Sequence, residues 1–195
     1  YGSDKPDLRN PLVMQDVTES FRGCDFKAFA GVVESGGKVI TIAVKDCASQ
    51  SRKFFDDMVK FAQSVGSKGL GYLRWIDGEI QSPIAKFLSD EIIISLKEKG
   101  NIENGDVMFF IADKPNKALE IGGHVRDELG KRLDLIDSSV FKFCWIVDFP
   151  MYELDDDGKV EFSHNPFSMP QGGMDDLLNK NPLDILAYQY DIVCN

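Results

Sequence analysis

The stretch EFSHNPFSMP (Glu161 to Pro170) contains His164, one of the two histidines of the chain. An imidazole can donate or accept hydrogen bonds near neutral pH, so it suits a carboxylate ligand. His164 ends a short alternating run, which predicts a strand, and it precedes Asn165-Pro166, a pair that favours a turn. We therefore expect His164 at a strand end beside a loop, either as a surface or structural residue or as a contact for a charged ligand.

A second candidate is Asp191, which stands in the apolar stretch ILAYQYDIVCN. The pattern predicts a helix that opens at Asn181-Pro182 and carries Asp191 near its end. The residues expected to face inward are Leu183, Leu186, Ala187 and Tyr190. An aspartate in such a helix either forms a salt bridge or backbone hydrogen bond, or holds Mg²⁺. The spacing alone leaves both interpretations open.

Other motifs that carry chemistry are absent from the sequence. It contains no GxxxxGK[ST], GxGxxG, HExxH or GxSxG pattern. The glycine-rich GSKGLG (Gly66 to Gly71) follows a predicted helix and precedes a predicted strand, so it is interpreted as a connection rather than a phosphate loop. The four cysteines form no CxxC pair, which argues against zinc and indicates reduced, buried thiols. His124 lies beside glycines in a predicted helix and is interpreted as structural.

The composition is that of a globular protein, with 43% apolar and 28% charged residues among 195. No run of ~18 apolar residues occurs, so no membrane span and no membrane partner are expected. The net charge is −10, of which −8 lies between Asp148 and Asp191. This balance argues against general nucleic-acid binding but leaves a local basic face possible in the near-neutral first part. Neither end resembles a natural terminus, so we expect a piece of a larger polypeptide.

Residues 21–137 alternate predicted strands and helices, and the remainder is richer in strands. Two apolar runs around Gly36-Gly37 predict a hairpin, and the helix between Ser51 and Gly66 has a serine cap. The other predicted elements are a hairpin in LGYLRWIDGEI, a helix from Ser82-Pro83 to Gly100, a buried strand Asp106 to Asp113 and a helix from Pro115. From Phe141 onward, FKFCWIVDFPMYEL and KVEFSH flank DDDG, which predicts a long hairpin followed by two helices.

Several phrases of the sequence resemble the bacterial-type aspartyl-tRNA synthetases. YGSDKPDLRNPL, FCWIVDFPMYE, FSHNPFSMP and ILAYQYDIVCN resemble parts of the class II catalytic core of that family. QSPIAKFLSDEI and GDVMFFIADK resemble its inserted GAD domain, which also occurs in a subunit of the tRNA-dependent amidotransferases. The resemblance implies an α+β fold, with a GAD-type mixed sheet and helices inserted into an antiparallel catalytic core of which only part is present.

The same resemblance implies the organisation and the chemistry. It assigns residues 1–20 and 138–195 to the catalytic core and residues 21–137 to the GAD domain. His164 is implied to contact L-aspartate and Asp191 to help hold Mg²⁺ on ATP, while no catalytic side chain is assigned. Asn165 replaces a second histidine of the family, so its role is left open. The parent is expected to be a cytoplasmic homodimer that activates aspartate with ATP and transfers it to tRNA.

One expectation about activity, two alternatives and one hypothesis about the GAD domain accompany this interpretation. The isolated fragment is expected to be inactive, because the resemblance places other essential groups outside it. An amidotransferase GAD module, contacting tRNA without an active site, is the first alternative, and a ligand-sensing α+β domain is the second. For the GAD domain itself we consider a role near the acceptor arm of tRNA, with candidate cations Lys45, Arg52, Lys53, Arg74 and Lys86.

Overall fold

The computed structural model describes residues 1–155 and 157–195 and divides into two compact units. Unit 1 spans Tyr1–Ser138, and unit 2 spans Ser139–Asn195. This division lies one residue from the predicted end of the GAD domain at residue 137. The assignment of residues 1–20 and 138–195 to a catalytic core stays a prediction.

A five-stranded sheet forms the centre of unit 1. Its strands are β1 (Met14–Asp16), β2 (Lys38–Val44), β3 (Gly71–Ile76), β4 (Glu79–Gln81) and β5 (Val107–Asp113), in the order β1-β2-β5-β3-β4. Its helices are α1 (Lys27–Glu34), α2 (Arg52–Ser64), α3 (Asp90–Lys99) and α4 (Pro115–Arg132). The predicted α+β class is confirmed.

Every strand pairing in this sheet is antiparallel, so the prediction of a mixed sheet was wrong. Strands β2 and β3 are connected through α2 and run in the same direction, which would make a parallel pair if they were adjacent. Strand β5 lies between them and pairs antiparallel with both, at Ile40↔Ile111 and at Gly71↔Phe110. This split β-α-β arrangement removes the parallel contact.

Alternate residues of the central strands supply two cores, one on each face of the sheet. One core contains Ile42, Phe55, Phe109, Ile121 and Val125, from the sheet, α2 and α4. The other contains Phe21, Phe29, Leu73, Leu96 and Phe110, from the sheet, α1, α3 and a preceding 3-10 turn. Residues Val107 to Ile111 of β5 are fully buried, which confirms the predicted two-sided strand.

The first half of the predicted Gly36-Gly37 hairpin is wrong, because residues Lys27–Glu34 form helix α1. Phe29, Ala30 and Val33 are spaced so that one helical face is buried against the sheet. Gly36, with a φ of +81°, then ends the helix and directs the chain into β2. Alternating apolar residues favoured a strand locally, but burial of a helical face decides the structure.

The predicted helix from Ser82-Pro83 to Gly100 is only partly correct. The Ser82 hydroxyl donates to the Tyr72 carbonyl at 2.5 Å and accepts from the Ile84 N–H at 3.1 Å, so it anchors a short 3-10 turn at Ala85–Phe87. Helix α3 starts later, where the Ser89 hydroxyl accepts from the Ile92 N–H, and it ends at Gly100 as predicted.

Helices α2 and α4 agree with their sequence patterns. The Ser51 hydroxyl caps α2 by accepting from the Phe54 N–H, as predicted. In α4, a Cβ atom on Gly122 would lie 2.6 Å from the Met14 sulfur and 3.6 Å from Ile40 Cγ2. A side chain at this position would displace the end of the Met14 side chain, which shows how closely the helix packs against the sheet.

A buried guanidinium holds the first residues of unit 1 against α4. Arg126 is 1% exposed. Its Nε donates to the Leu12 carbonyl at 2.6 Å, and its Nη2 donates to the carbonyls of Asp7 at 2.7 Å and Asn10 at 2.8 Å. The Asn10 side chain donates in return to the Arg126 carbonyl at 3.0 Å. The turn-rich segment before β1 is thus fixed by hydrogen bonds rather than by regular structure.

Among its described residues, unit 2 contains three antiparallel strand pairs and one α-helix. The pairs are β6 (Phe143–Ile146) with β11 (Asp191–Cys194), β7 (Phe149–Pro150) with β10 (Leu186–Ala187), and β8 (Tyr152–Leu154) with β9 (Val160–Phe162). Helix α5 spans Gly173–Asn179. The predicted long hairpin is therefore formed only by β8 and β9, since β6 pairs with β11 instead. Asp156, in the predicted DDDG turn, lies outside the described residues.

Candidate functional site

His164 lies two residues after β9, at the start of a loop, as the sequence predicted. The ring is exposed and makes an edge-to-face contact with Phe149 of β7, with centroids 4.9 Å apart and planes at 89°. Phe149 is itself 5% exposed, so it gives the imidazole a fixed neighbour. Within residues 1–155 and 157–195 the imidazole forms no hydrogen bond or ion pair, so its nitrogens are accessible to a ligand.

The loop after His164 is ordered by Asn165 and Gln189. The Asn165 side chain accepts from the Phe167 N–H at 3.0 Å, which confirms the predicted turn at Asn165-Pro166. The Gln189 side-chain oxygen accepts from the Asn165 N–H at 3.4 Å and from the Ser168 hydroxyl at 3.4 Å. Gln189 therefore connects the His164 loop to the segment that enters β11. No sequence motif marked this role, because a glutamine in a polar stretch carries no distinctive spacing.

Asp191 begins strand β11, so its predicted place late in a helix was wrong. Residues Pro182–Asp184 form only a 3-10 turn, and Leu186–Ala187 form β10. Of the four residues predicted to face inward, only Ala187 is buried, at 2% exposure. Asp191 pairs with Ile146 of β6, and pairing with that strand determines the extended conformation that the local pattern did not indicate.

The Asp191 carboxylate is exposed and forms no ion pair or hydrogen bond within the part of the chain that the structure describes. It is therefore available to a cation. In the same described part, no three His, Cys, Asp or Glu side chains are grouped closely enough to hold a metal ion. Asp191 can thus supply one oxygen ligand, and Mg²⁺ would need its remaining oxygens from bound phosphates and water.

The structure places His164 and Asp191 in the same unit and links them through one side chain. Asn165, adjacent to His164, is bonded to Gln189, and Gln189 precedes Asp191 by two residues. A second link crosses the same region, where Gln171 donates to the Asp148 carboxylate at 2.8 Å. Asp148 has a φ of +58°, which marks a sharp change of direction between β6 and β7.

Strands β6 and β11 expose large apolar side chains on one face. The exposed fractions are 62% for Phe143, 61% for Trp145 and 59% for Ile192, which is the register partner of Trp145. The Tyr190 ring packs edge-on against Trp145 with centroids 5.6 Å apart. Side chains of this size are usually covered in a folded protein, and on this face no described element covers them.

Two of the candidate tRNA-contacting cations in unit 1 are engaged internally. Lys45 donates to the Asp106 carboxylate at 2.8 Å and to the Asn101 carbonyl. Arg74 donates to the Ala48 carbonyl, and its guanidinium lies 4.7 Å from the centre of the Phe55 ring. His124 is exposed on α4. These contacts favour structural roles for Lys45 and Arg74 and leave the tRNA hypothesis for unit 1 without support from them.

One known domain family matches a large part of unit 1. Residues 29–121 match the GAD domain family, and this range runs from α1 into α4. Unit 1 is therefore similar to the GAD domain family over these residues. Its split β-α-β sheet and both cores lie largely within that range. In the part of the chain that is described, no helix is long and apolar enough to cross a membrane.

The similarity to curated proteins extends beyond the GAD domain to the whole chain. An aspartate–tRNA(Asp/Asn) ligase of Rickettsia bellii is 52% identical over 201 aligned residues, which cover 100% of this chain and 33% of the relative. The corresponding ligase of a Wolbachia strain from Drosophila simulans is 54% identical and that of Ehrlichia chaffeensis 51%, each with the same coverage. The predicted resemblance to aspartyl-tRNA synthetases is confirmed, and the chain spans about one third of the length of these relatives.

Proposed function

We propose that this chain is the GAD-containing part of an aspartate–tRNA ligase. The complete polypeptide would activate L-aspartate with ATP, releasing pyrophosphate, and transfer the aspartyl group from the adenylate to the terminal ribose of tRNA. The observation that supports this proposal is the 52% identity along 100% of the chain, which includes unit 2. A GAD module of an amidotransferase would account for unit 1 alone.

His164 is proposed to bind the substrate aspartate. Its ring is exposed, free of internal hydrogen bonds and positioned by Phe149 at the end of β9. A ring N–H can donate to a carboxylate, and it would do so more strongly when the imidazole is cationic. The ordered Asn165 turn holds the following loop, so the imidazole does not depend on a mobile segment for its position. We therefore assign His164 to binding and orienting the substrate, and we assign it no proton transfer.

Asp191 is proposed to contribute one ligand to Mg²⁺ when ATP is bound. The carboxylate is exposed and has no internal partner, which fits a ligand that meets its metal only with the nucleotide. Bound Mg²⁺ would neutralise charge on the phosphates. The residue itself holds its carboxylate at a defined register position on β11, opposite Ile146. Asp191 would be one ligand of a set that the described residues do not complete.

The exposed aromatic face of β6 and β11 supports the same proposal. Relatives are about three times as long as this chain, so the full polypeptide has further chain with which to cover Phe143, Trp145 and Ile192. We infer that this face is buried in the full-length ligase. This also explains why the isolated chain is expected to lack activity, since a sheet without its packing partners cannot hold two substrates in a reactive geometry.

The decisive experiment measures aspartate-dependent ATP–pyrophosphate exchange by the full-length parent and by its His164→Ala variant. The parent is expected to exchange strongly, and the variant to show a KM for aspartate raised about tenfold or more while its KM for ATP stays unchanged. The matched control is His124→Ala, because His124 is also exposed but lies on α4 of the GAD domain. If the folded parent shows no exchange, the ligase assignment is wrong and the amidotransferase alternative gains support.

The role of Asp191 is tested by the Mg²⁺ dependence of the same exchange. Asp191→Asn is expected to shift half-maximal activation to higher Mg²⁺ by about tenfold, since a neutral amide is a weaker ligand than a carboxylate. Asp184→Asn removes the charge of another exposed aspartate of unit 2 and should leave the Mg²⁺ profile unchanged. If both variants showed the same Mg²⁺ dependence, Asp191 would have no specific role in binding Mg²⁺.

Further properties of the parent follow from the same proposal. The relatives are named for tRNA(Asp/Asn), so we expect the parent to charge both tRNAs, which aminoacylation with each purified transcript measures. A cytoplasmic location and a homodimer are also proposed. Light scattering on the purified full-length protein tests the dimer, and cell fractionation tests the location. The isolated chain is expected to show no exchange above background.

A further inference from the structure

A pocket of about 430 Å³ opens in unit 1 between helix α1 and the connection that leads into β3. Its walls are apolar and come mainly from Phe26, Phe29, Val32, Leu70 and Ile84. This volume lies within the range of small-molecule sites, which are typically concave and lined by apolar and aromatic side chains. The pocket belongs to the GAD domain and contains none of the residues proposed for aspartate or Mg²⁺.

The pocket arises where strand β3 does not extend as far as its neighbour β5. Strand β3 begins at Gly71, opposite Phe110, while β5 continues past that point to Ala112 and Asp113. Gly71 contributes backbone but no side chain to the pocket lining. A Cβ atom there would lie 3.1 Å from Phe29 Cζ and 3.3 Å from Ile84 Cδ1, so these two side chains would have to shift by a few tenths of an ångström to admit it. The sequence GSKGLG thus forms one side of a binding-sized cavity.

Lys68 gives the pocket a single charge. It is the one charged residue of the lining, and no acidic residue accompanies it. Lys68 is exposed, and among the described residues it has neither an ion pair nor a hydrogen bond. An ammonium group without a partner at the rim of an apolar pocket is complementary to a molecule with an apolar body and one anionic end.

We propose that this pocket binds a small amphipathic anion, with an aliphatic or aromatic body against Phe29 and Ile84 and an anionic group beside Lys68. The apolar walls favour such a ligand over a nucleobase, because the edge of a base requires several hydrogen-bonding partners and Lys68 is the one polar side chain of the lining. The proposal concerns the GAD domain only and does not depend on the ligase assignment.

Three probes that differ only in the polar group test both parts of the proposal. They are 4-phenylbutyrate, 4-phenylbutan-1-ol and 4-phenylbutylamine, titrated into the ¹⁵N-labelled 195-residue chain at constant ionic strength. Amide shifts at Gly69, Gly71 and Ala112 report the pocket, since these residues belong to its lining. The carboxylate is expected to bind most tightly and the amine most weakly, with saturable shifts confined to the pocket.

Variants test the contributions of the Lys68 charge and of the pocket volume to binding separately. Lys68→Gln should weaken the carboxylate about twofold to fivefold, as expected for one exposed ion pair, and should leave the alcohol unchanged. Lys53→Gln is the matched control, because Lys53 is exposed on α2, on the opposite face of the sheet. Ala112→Leu should fill part of the pocket and weaken the carboxylate and the alcohol alike, with a dispersed amide spectrum showing that the variant is folded.

Several results would overturn the proposal. The absence of saturable shifts at Gly69 and Gly71 with all three probes would show that the cavity does not bind such ligands. Equal affinities for the three probes, or no effect of Lys68→Gln on the carboxylate, would refute the role of the charge. Shifts at the same amides caused by tRNA, when none of the probes binds, would assign the pocket to RNA contact instead.

Discussion

The buried arginine of α4 offers the sharpest test of how unit 1 is held together. Replacing Arg126 with methionine keeps most of the side-chain volume but removes the three hydrogen bonds to the carbonyls of Asp7, Asn10 and Leu12. Each of these carbonyls would then lose a charged donor in a region sealed from water, since Arg126 is 1% exposed. The segment before β1 would either keep its position with unsatisfied carbonyls or separate from α4.

The magnitude follows from these contacts. A hydrogen bond to a charged group contributes about 1.5–3 kcal/mol, so three such bonds set an upper limit of about 5–9 kcal/mol. The segment can recover part of this free energy by turning its carbonyls toward water. For comparison, removing one partner of a buried ion pair typically costs about 3–5 kcal/mol. We therefore expect Arg126→Met to lower the free energy of unfolding of unit 1 by about 3–5 kcal/mol.

Urea denaturation followed by tryptophan fluorescence measures this change. Trp75 is 4% exposed within unit 1, whereas Trp145 is 61% exposed in unit 2, so a Trp145→Phe background makes the signal report unit 1. Arg52→Met is the control, because the Arg52 side chain is 93% exposed, and it should change stability by less than about 0.5 kcal/mol. A loss below about 1 kcal/mol for Arg126→Met at an unchanged m-value would refute the reasoning.

Three further predictions concern a carboxylate, the thiols and a helix cap. Burial raises the pKa of Asp106, but hydrogen bonds from Lys45 and from two backbone N–H groups outweigh it and hold that pKa below the usual value of an aspartate. Its contribution to stability is therefore present above the unfolded pKa and is lost as the pH falls through the folded pKa. Asp106→Asn should accordingly cost about 1–3 kcal/mol at pH 7 and progressively less below pH ~4, which urea titrations across pH measure. Burial raises the pKa of Cys47 to about 12, against a smaller effect of Arg74, so mass spectrometry after alkylation at pH 8 should show exposed Cys194 modified and Cys47 protected until urea unfolds the chain. Ser51→Ala should lower the thermal midpoint by an amount equivalent to about 1 kcal/mol, and Ser51→Asp should restore it, because either oxygen can cap α2.

Elements with agreeing local signals were predictable from the sequence. Helix α2 combines a serine cap, an apolar stripe and a glycine just after its end, and the structure begins and ends it within two residues of those signals. Strand β5 was identified by an uninterrupted apolar run, because a strand buried on both faces needs no polar alternation. The position of His164 at a strand end followed from a short alternating run and the Asn165 turn.

The cysteines show how composition misleads when burial depends on distant residues. All four were expected to be buried, since most stand in apolar runs, yet only Cys24 and Cys47 are buried. Cys194 is exposed because β11 pairs with β6 alone, which leaves the outer face of that pair uncovered. An apolar run predicts a tendency to be covered, but it does not supply the partner that covers it.

By itself the sequence determined the α+β class, the resemblance to the synthetases and the two side chains that we propose as contacts for aspartate and Mg²⁺. Tertiary contacts decided the rest. Residues Lys27–Glu34 form a helix because Phe29 and Val33 bury one helical face. Asp191 lies in a strand because the segment pairs with β6. The antiparallel sheet likewise depends on β5 lying between β2 and β3. Each of these outcomes rests on partners far away in the chain, and local propensity, which differs by less than about 1 kcal/mol per residue for most residue types, is too weak to oppose them.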